Sequence, residues 1–421
     1  MFAVAVAIVA LSLLYLLIIV AKSRRPMPVP LSGAHDLRYV IVVPCLDEEV
    51  VIGNTLRSLS QLPPDRVRII VVDDDSDDTT AEIVRSFAPR VELLQRRRPH
   101  ARVGKGDSLN LAYQHVLATS DHPADKIVIG VVDADGRLDP EVVDVLDRHF
   151  SEPDVGGLQL AVSINNRRDG LLPRMQDFEF MGFAPILLTA REHFGSVALG
   201  GNGQFAKLSE LMRLGPAPWN DCLTEDLDLG VRLALGGSRI RFTPEAQVHQ
   251  QGLAKLGKLL RQRTRWVQGH FECWSLIPQV YRSRIPNRAF LDFLYVLISP
   301  GIMFLSSIVF AAAPAVLAWT IGSGAFARNE PRLWLFLSAI YVLMFGPPIF
   351  YGMAYARHRE DVSRARAFAL AHVVPLYTYV WYVAVWWALL RMLLRRRSWA
   401  KTARHAEVSP TMAAVPEEGA A

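Results

Sequence analysis

Two kinds of stretch in the 421-residue chain carry residue types that could do chemistry. One is QRTRW at 262–266, where Gln262, two arginines and Trp266 crowd together just before the chain turns apolar. Three uses suit such a cluster. It could anchor a helix at a bilayer surface, stack nucleic-acid bases, or clamp an anionic leaving group with arginine while the indole gives a flat face to a sugar ring. The other kind is a series of carboxylates: LDEE at 46–49, DDDSDD at 73–78, DAD at 133–135 and TED at 224–226. Clustered carboxylates repel one another unless a cation offsets them. A hard ion such as Mg²⁺ or Mn²⁺, held by one or two carboxylates and by substrate phosphates, meets that need. Plain alternatives stand beside each. DDDSDDTT also reads as a solvated loop or helix N-cap, with Thr79 and Thr80 opening the next helix. Asp135-Gly136 is also an ordinary turn pair.

The elements that must position these residues are legible in the apolar runs. YVIVVP, VRIIVVDDD, VELLQ and KIVIGVVDAD alternate with helix-like stretches. Short continuous apolar runs between amphipathic segments predict βαβ units, an α/β fold and a parallel sheet buried on both faces. The runs Tyr39–Val43, Arg68–Val72 and Lys126–Val132 each end in carboxylates. Strand C-terminal ends line the ligand crevice of an open parallel sheet, so the carboxylates should converge there. RVGKGDSLNLAY (102–113) is not a Walker A loop, because Pro99 stands where its first glycine belongs. Lys105 could still meet an anion at a helix start, or the stretch could be a plain helix entry.

Hydropathy divides the chain. Met1 to Ala21 is uncharged and long enough to span a bilayer, and Lys22, Arg24 and Arg25 follow it without a cleavage site. This predicts an anchor (1–25) whose C-terminal side is cytoplasmic. Residues 26–252 read as a water-soluble domain, 253–288 as basic interfacial helices, 289–397 as a membrane region and 398–421 as a disordered tail. Apolar stretches fall at roughly 290–319, 333–355 and 367–394. Arg357, Arg359, Arg364 and Arg366 precede the last one, and Arg395, Arg396, Arg397 and Lys401 follow it. One crossing cannot place both groups inside, so a re-entrant hairpin, or two short helices, divided at Pro375 is predicted. The net charge of +5 is modest, with arginines beside apolar segments, which argues against nucleic acid. Cys45, Cys222 and Cys273 have no CxxC spacing, which suggests a reducing compartment and no structural zinc.

The motifs VVPCLDEE, VVDDDSDDT, VVDADG, GGNGQF, CLTEDLDLG and QRTRW, in this order, resemble the inverting family 2 glycosyltransferases. More narrowly, the chain resembles the membrane-integrated processive group of cellulose, hyaluronan and chitin-oligosaccharide synthases. The resemblance implies a GT-A (Rossmann-like) domain flanked by membrane helices, in the plasma (inner) membrane with the catalytic domain cytoplasmic. It implies a donor such as UDP-glucose or UDP-N-acetylglucosamine, Mg²⁺ or Mn²⁺, and a glycan or lipid acceptor. Asp74 would accept from the uracil, with Pro44, Leu46 and Glu48 shaping the nucleoside pocket, and Asp73 and Lys105 would also bind the nucleotide sugar. Asp133 and Asp135 would be the metal pair, Asp135 the direct ligand. Asp226 would be the catalytic base, and Gln262, Arg265 and Trp266 the QxxRW residues, Trp266 also on the acceptor. Gly203, in GGNGQF, and Glu225 would line the acceptor side. Thr224 is a predicted N-cap, so a helix dipole would favour ionised Asp226. A non-processive enzyme acting on a lipid is a close alternative. A transporter with a nucleotide-sensing domain would need ionisable residues within the spans, and His372 is nearly alone there.

Overall fold

The computed structural model describes residues 2–33, 35–324 and 331–395. The predicted disordered tail, with Arg396, Arg397 and Lys401, lies outside them. The chain opens with α1 (Phe2–Ser23), β1 (Arg38–Cys45), α2 (Ile52–Leu59), β2 (Val67–Asp73), α3 (Thr80–Arg85) and β3 (Val91–Gln95). Next come α4 (Lys105–Thr119), β4 (Ile127–Val131), β5 (Arg137–Leu138), α5 (Val142–Phe150) and β6 (Val155–Ile164). Then follow α6 (Leu171–Phe178), a π-helical turn (Glu179–Phe183), α7 (Ala184–Phe194), β7 (Gln204–Lys207), α8 (Leu208–Arg213) and α9 (Glu225–Leu235). The last elements are β8 (Arg239–Gln250), α10 (Leu256–Glu272), α11 (Ile277–Arg282), α12 (Asn287–Gly322), α13 (Pro331–His358) and α14 (Arg364–Leu393).

Among the described residues the strands form one sheet in the order β3-β2-β1-β4-β7-β6-β8-β5. The parallel expectation holds from β3 to β4. Tyr39, Ile41 and Val43 of β1 face one core while Val40 and Val42 face the other, which is why the run is apolar without alternation. Beyond β4 the sheet is mixed. Gly203 N donates to Val131 O (2.9 Å), so β7 begins where β4 ends and must run back antiparallel to it. That reversal draws the GGNG loop across the crevice edge.

Three helical segments, Asn287–Ala312, Leu333–His358 and Arg364–Leu393, are long and apolar enough to cross a membrane. The predicted hairpin at Pro375 is not formed: α14 runs unbroken through that proline. Polar contacts tie the chain at each end of α14 to other elements. Just before α14, Arg359 donates to Asp177 of α6 (2.6 Å), and Arg167 and Arg168 hold Asp361. In the last turn of α14, Arg391 Nε donates to Gln268 of α10 (3.1 Å). The predicted interfacial helix that carries QRTRW is more buried than expected. α10 packs Leu259, Arg263, Val267 and Phe271 inward between the sheet domain and α14.

Candidate active site

The parallel register sets the strand ends level, with Cys45 beside Asp73 and Val42 beside Val131. A cavity of about 370 Å³ opens there. It is lined by Pro44, Leu46, Glu48, Asp74, Lys105, Asp133 and Asp135 from the strand side. From the helix side come Glu225, Asp226, Gln262, Arg265 and Trp266. Two predicted residues are not part of it. Asp73 is fully buried and accepts from Ser76 N (3.2 Å) and Gln95 Nε2 (3.2 Å), a turn-closing role. Gly203 belongs to the sheet: its φ is +74°, and a Cβ there would lie 2.6 Å from Val248 Cγ1.

Most of DDDSDDTT is loop scaffolding. Asp78 caps Thr80 N (3.0 Å), the first residue of α3, and Asp75 and Asp77 pair with Arg97, Arg98 and Arg102. Of this stretch only Asp74 lines the cavity. Arg96 Nη1 donates to it (2.7 Å) and to Ser108 Oγ (3.0 Å). Burial raises the Asp74 pKa, although Arg96 and an Arg102 amide oppose that shift.

Lys105 opens α4 and reaches across the cavity. Its Nζ donates to Asp133 Oδ1 and to Gly201 O, both at 2.7 Å, and lies 3.8 Å from Glu225. Burial works against the ammonium, but Asp133 and Glu225 outweigh it, so its pKa stands above the lysine norm. Asp135 Oδ2 accepts from Gln251 N (2.8 Å), and Asn202 Oδ1 accepts from Asp133 N (3.1 Å). Asp133 and Asp135 thus both offer hard oxygens to the cavity, with Lys105 bonded to Asp133. Among the described residues no group of three His, Cys, Asp or Glu side chains gathers to cage an ion. A carboxylate pair completed by ligand phosphates is the arrangement Mg²⁺ commonly takes, and the donor chemistry fits that arrangement.

On the helix side, Thr224 precedes α9, but its hydroxyl does not cap the helix as predicted; it lies 3.4 Å from Cys273 Sγ. The cause is the close approach of α10, where a Cβ on Gly269 would fall 2.7 Å from Thr224 N. This contact fixes the start of α9 against the helix that bears QRTRW. Asp226 Oδ1 accepts from Leu227 N (2.8 Å). Burial raises the pKa of Asp226, against the opposing charge of Lys105. Glu225 shifts the same way, mainly by burial and further by Asp226.

The sequence reading missed several residues. Arg263, inside QRTRW, is fully buried, donates to Glu179 Oε2 (2.7 Å), and lies between Trp266 and Trp381 at 4.1 and 4.7 Å from their ring centres. Its cation–π contacts hold the indole in place. His270 lines the cavity with its Nδ1 donating to Trp266 O (2.9 Å), and burial lowers its pKa. Arg191 of α7, paired with Asp292 of α12 (3.1 Å), also lines it, as do Phe180 and Val296. Spacing from QRTRW could have flagged His270 one turn after Trp266. Nothing in the sequence connects Arg191 to Asp292.

The family model described as "Glycosyltransferase like family 2" matches residues 35–269. The chain belongs to this family. Among curated proteins, this family 2 glycosyltransferase is 30% identical to a beta-monoglucosyldiacylglycerol synthase of Synechocystis, over 61% of the chain and 54% of that protein. A protein of the same description from Trichormus variabilis is 27% identical over 86% of the chain and 75% of its own length. A poly-beta-1,6-N-acetyl-D-glucosamine synthase of Staphylococcus aureus is 27% identical over 54% of the chain and 53% of its own length. The chain thus spans only about half the length of some relatives and three quarters of others. The fold is that of a Pyrobaculum calidifontis mannosyltransferase solved with GDP-Man and Mn²⁺, at a TM-score of 0.57 and 19% identity, covering 89% of this chain and 98% of that one.

Proposed function

We propose that the protein transfers a sugar, with inversion, from a uridine-diphosphate donor such as UDP-glucose or UDP-N-acetylglucosamine to the hydroxyl of a lipid acceptor at the membrane face. One observation carries this reading: Asp226 and Arg265 line the same cavity as Asp74 and Asp133, and Val296 of α12 and Phe180 line it too. Asp74, with Pro44, Leu46 and Glu48, holds the nucleoside. Asp133 and Asp135 would hold Mg²⁺ or Mn²⁺ together with the diphosphate, and such an ion would supply positive charge for the leaving group.

Asp226 takes the proton of the acceptor hydroxyl as that oxygen bonds to the anomeric carbon. The anomeric carbon–oxygen bond to the diphosphate breaks on the opposite face. Burial strengthens Asp226 as a base, and such proton removal contributes roughly 10²–10⁴-fold. Arg265 meets the departing diphosphate, where its planar fork suits phosphate oxygens. Gln262 and Glu225 fix the wall around the reacting centre, and Trp266 gives the acceptor a flat surface. The catalytic domain lies on the cytoplasmic side of the plasma (inner) membrane.

The relatives described as monoglucosyldiacylglycerol synthases favour the lipid acceptor. The poly-N-acetylglucosamine synthase favours a second reading, extension of a glycan in the manner of the processive synthases, with export of the polymer. Detergent-purified protein given UDP-sugars, a divalent ion, and either diacylglycerol micelles or a short glycan distinguishes them. A single-sugar lipid product is expected, lost on adding EDTA. Full activity in excess EDTA would remove the metal assignment, and polymer made only from the glycan would favour the second reading.

A further inference from the structure

His270 follows Gln262 and Trp266 at helical spacing on α10, and the three line the catalytic cavity as one row. Its Nδ1 bonds to Trp266 O (2.9 Å), and a carbonyl can only accept, so the proton of that bond sits on Nδ1. Burial disfavours the imidazolium more than the Trp266 carbonyl and the Asp226 charge favour it. Arg191 adds to that cost, and the pKa of His270 is lowered. The ring is therefore neutral at neutral pH, and its Nε2 carries a lone pair without a proton. Among the described residues no side chain or backbone group hydrogen-bonds to that nitrogen. Water can serve it while the cavity is open. Once substrates displace that water, only a donor on the substrate can, and binding is weakened if none is offered.

We propose that His270 reads the substrate: its Nε2 accepts a hydrogen bond from a hydroxyl beside Asp226 that is not the one attacking. The leaving diphosphate does not answer this lone pair, because ionised phosphate oxygens only accept. The attacking hydroxyl has one proton, and Asp226 takes it. On the transferase reading above, on which this role rests, a diacylglycerol acceptor has a single hydroxyl, and that one attacks. The hydroxyl that meets His270 then belongs to the sugar being transferred, and His270 helps to choose that sugar. A glycan acceptor would offer the same group from the acceptor side.

Two variants separate this role from a structural one. Asparagine reaches about as far as Nδ1, so His270→Asn can keep the bond to Trp266 O but ends short of Nε2. His270→Gln places an amide oxygen near Nε2 and gives up the Nδ1 bond. Detergent-purified full-length protein is given UDP-glucose and analogues in which each sugar hydroxyl in turn is removed, with diacylglycerol as acceptor. One analogue should raise the parent's donor KM roughly fivefold, the worth of a neutral hydrogen bond. His270→Asn should raise the KM for UDP-glucose by a similar factor and no longer distinguish that analogue, while His270→Gln recovers most of both. UDP without sugar should bind parent and variants alike by calorimetry, which also reports that each variant is folded. If the discrimination appears instead among the hydroxyls of a glycan acceptor, His270 keeps its role and the lipid reading loses. A helix-bracing role predicts the reverse order, with His270→Asn like the parent and His270→Gln impaired, and that result would overturn the proposal. So would a parent indifferent to every missing hydroxyl, a measurement that needs no variant. A fall in turnover at saturating substrate that exceeds the rise in KM would show Nε2 taking a proton in the reaction, and would overturn it too. Failure of the parent to turn over any UDP-sugar would strike the transferase reading together with this role, whereas parental kinetics in His270→Asn would strike this role alone.

Discussion

The strand half and the helix half of the cavity treat their charges differently. On the strand half each carboxylate already has a partner: Asp74 has Arg96 and Ser108, Asp133 has Lys105, and Asp135 has the Gln251 amide. On the helix half, Glu225 and Asp226 stand side by side at the start of α9; Lys105 opposes the charge of both, Arg265 that of Glu225, and Leu227 N donates to Asp226 (2.8 Å). Burial raises the pKa of Asp74 as it does those of Glu225 and Asp226, so what separates the halves is the like charge that Asp226 places beside Glu225, which raises it further. On the function proposed above, the strands serve ground-state recognition and the helices transition-state work.

Substitutions can break that division, and the largest effect is expected at Asp226. Asp226→Asn keeps the shape and removes the base, so turnover should fall by about 10²–10⁴-fold with UDP affinity kept. Turnover within a few-fold of the parent protein would move the base elsewhere. Arg265→Ala should lower turnover by roughly 10²–10³, a loss comparable to that of one preorganised charge-stabilising donor. Lysine there should restore little, since a point charge does not match the fork. Hydrolysis of the donor by water should fall in parallel. An effect on acceptor use alone would contradict the leaving-group role.

A strand-half change should show the opposite split. Asp74→Ala should weaken UDP binding by roughly tenfold, the worth of a charged hydrogen bond, with little change in turnover at saturating donor. Calorimetric titration of UDP reads this, and a turnover defect without a binding defect would erase the division. Trp266→Ala should have the smallest effect, about a several-fold rise in acceptor KM, of the order of one lost ring contact.

The division also has a pH signature. Asp226 must be ionised to act, and its pKa is raised, so turnover should decline on acidification at a pH above the ordinary carboxylate value of about 4. Stability moves the other way. A carboxyl whose folded pKa is raised stabilises the fold below its unfolded pKa, and that contribution is lost as pH rises through the folded value. Thermal melting of Asp226→Asn should therefore depend less on pH in this range than melting of the parent. Equal slopes would show that Asp226 is not shifted.

Much of this site was legible early because strand ends dictate their neighbours. Once β1, β2 and β4 are parallel and in register, Asp74 and Asp133 must meet at one edge. Asp73 misled because period two sends adjacent residues to opposite faces: one step from Asp74, its side chain is spent on Ser76 and Gln95. Gly203 misled because its motif neighbours Gly200, Gly201 and Asn202 line the cavity while it opens the strand behind them. Pro375 misled because a proline breaks an isolated helix, yet α14 is supported along its length by α10, α12 and α13.

The sequence by itself determined the sheet core, the carboxylates at its edge and the apolar helices, since each rests on local periodicity or on a strand's own end. Tertiary structure alone decided which of those carboxylates reach the cavity, because that depends on partners far along the chain: Arg96 for Asp74, Gln251 for Asp135. It also decided the fate of the two arginines in QRTRW. Two positions apart on one helix, they point to different sides, so Arg263 is enclosed by Trp266, Trp381 and Glu179, while Arg265 lines the cavity.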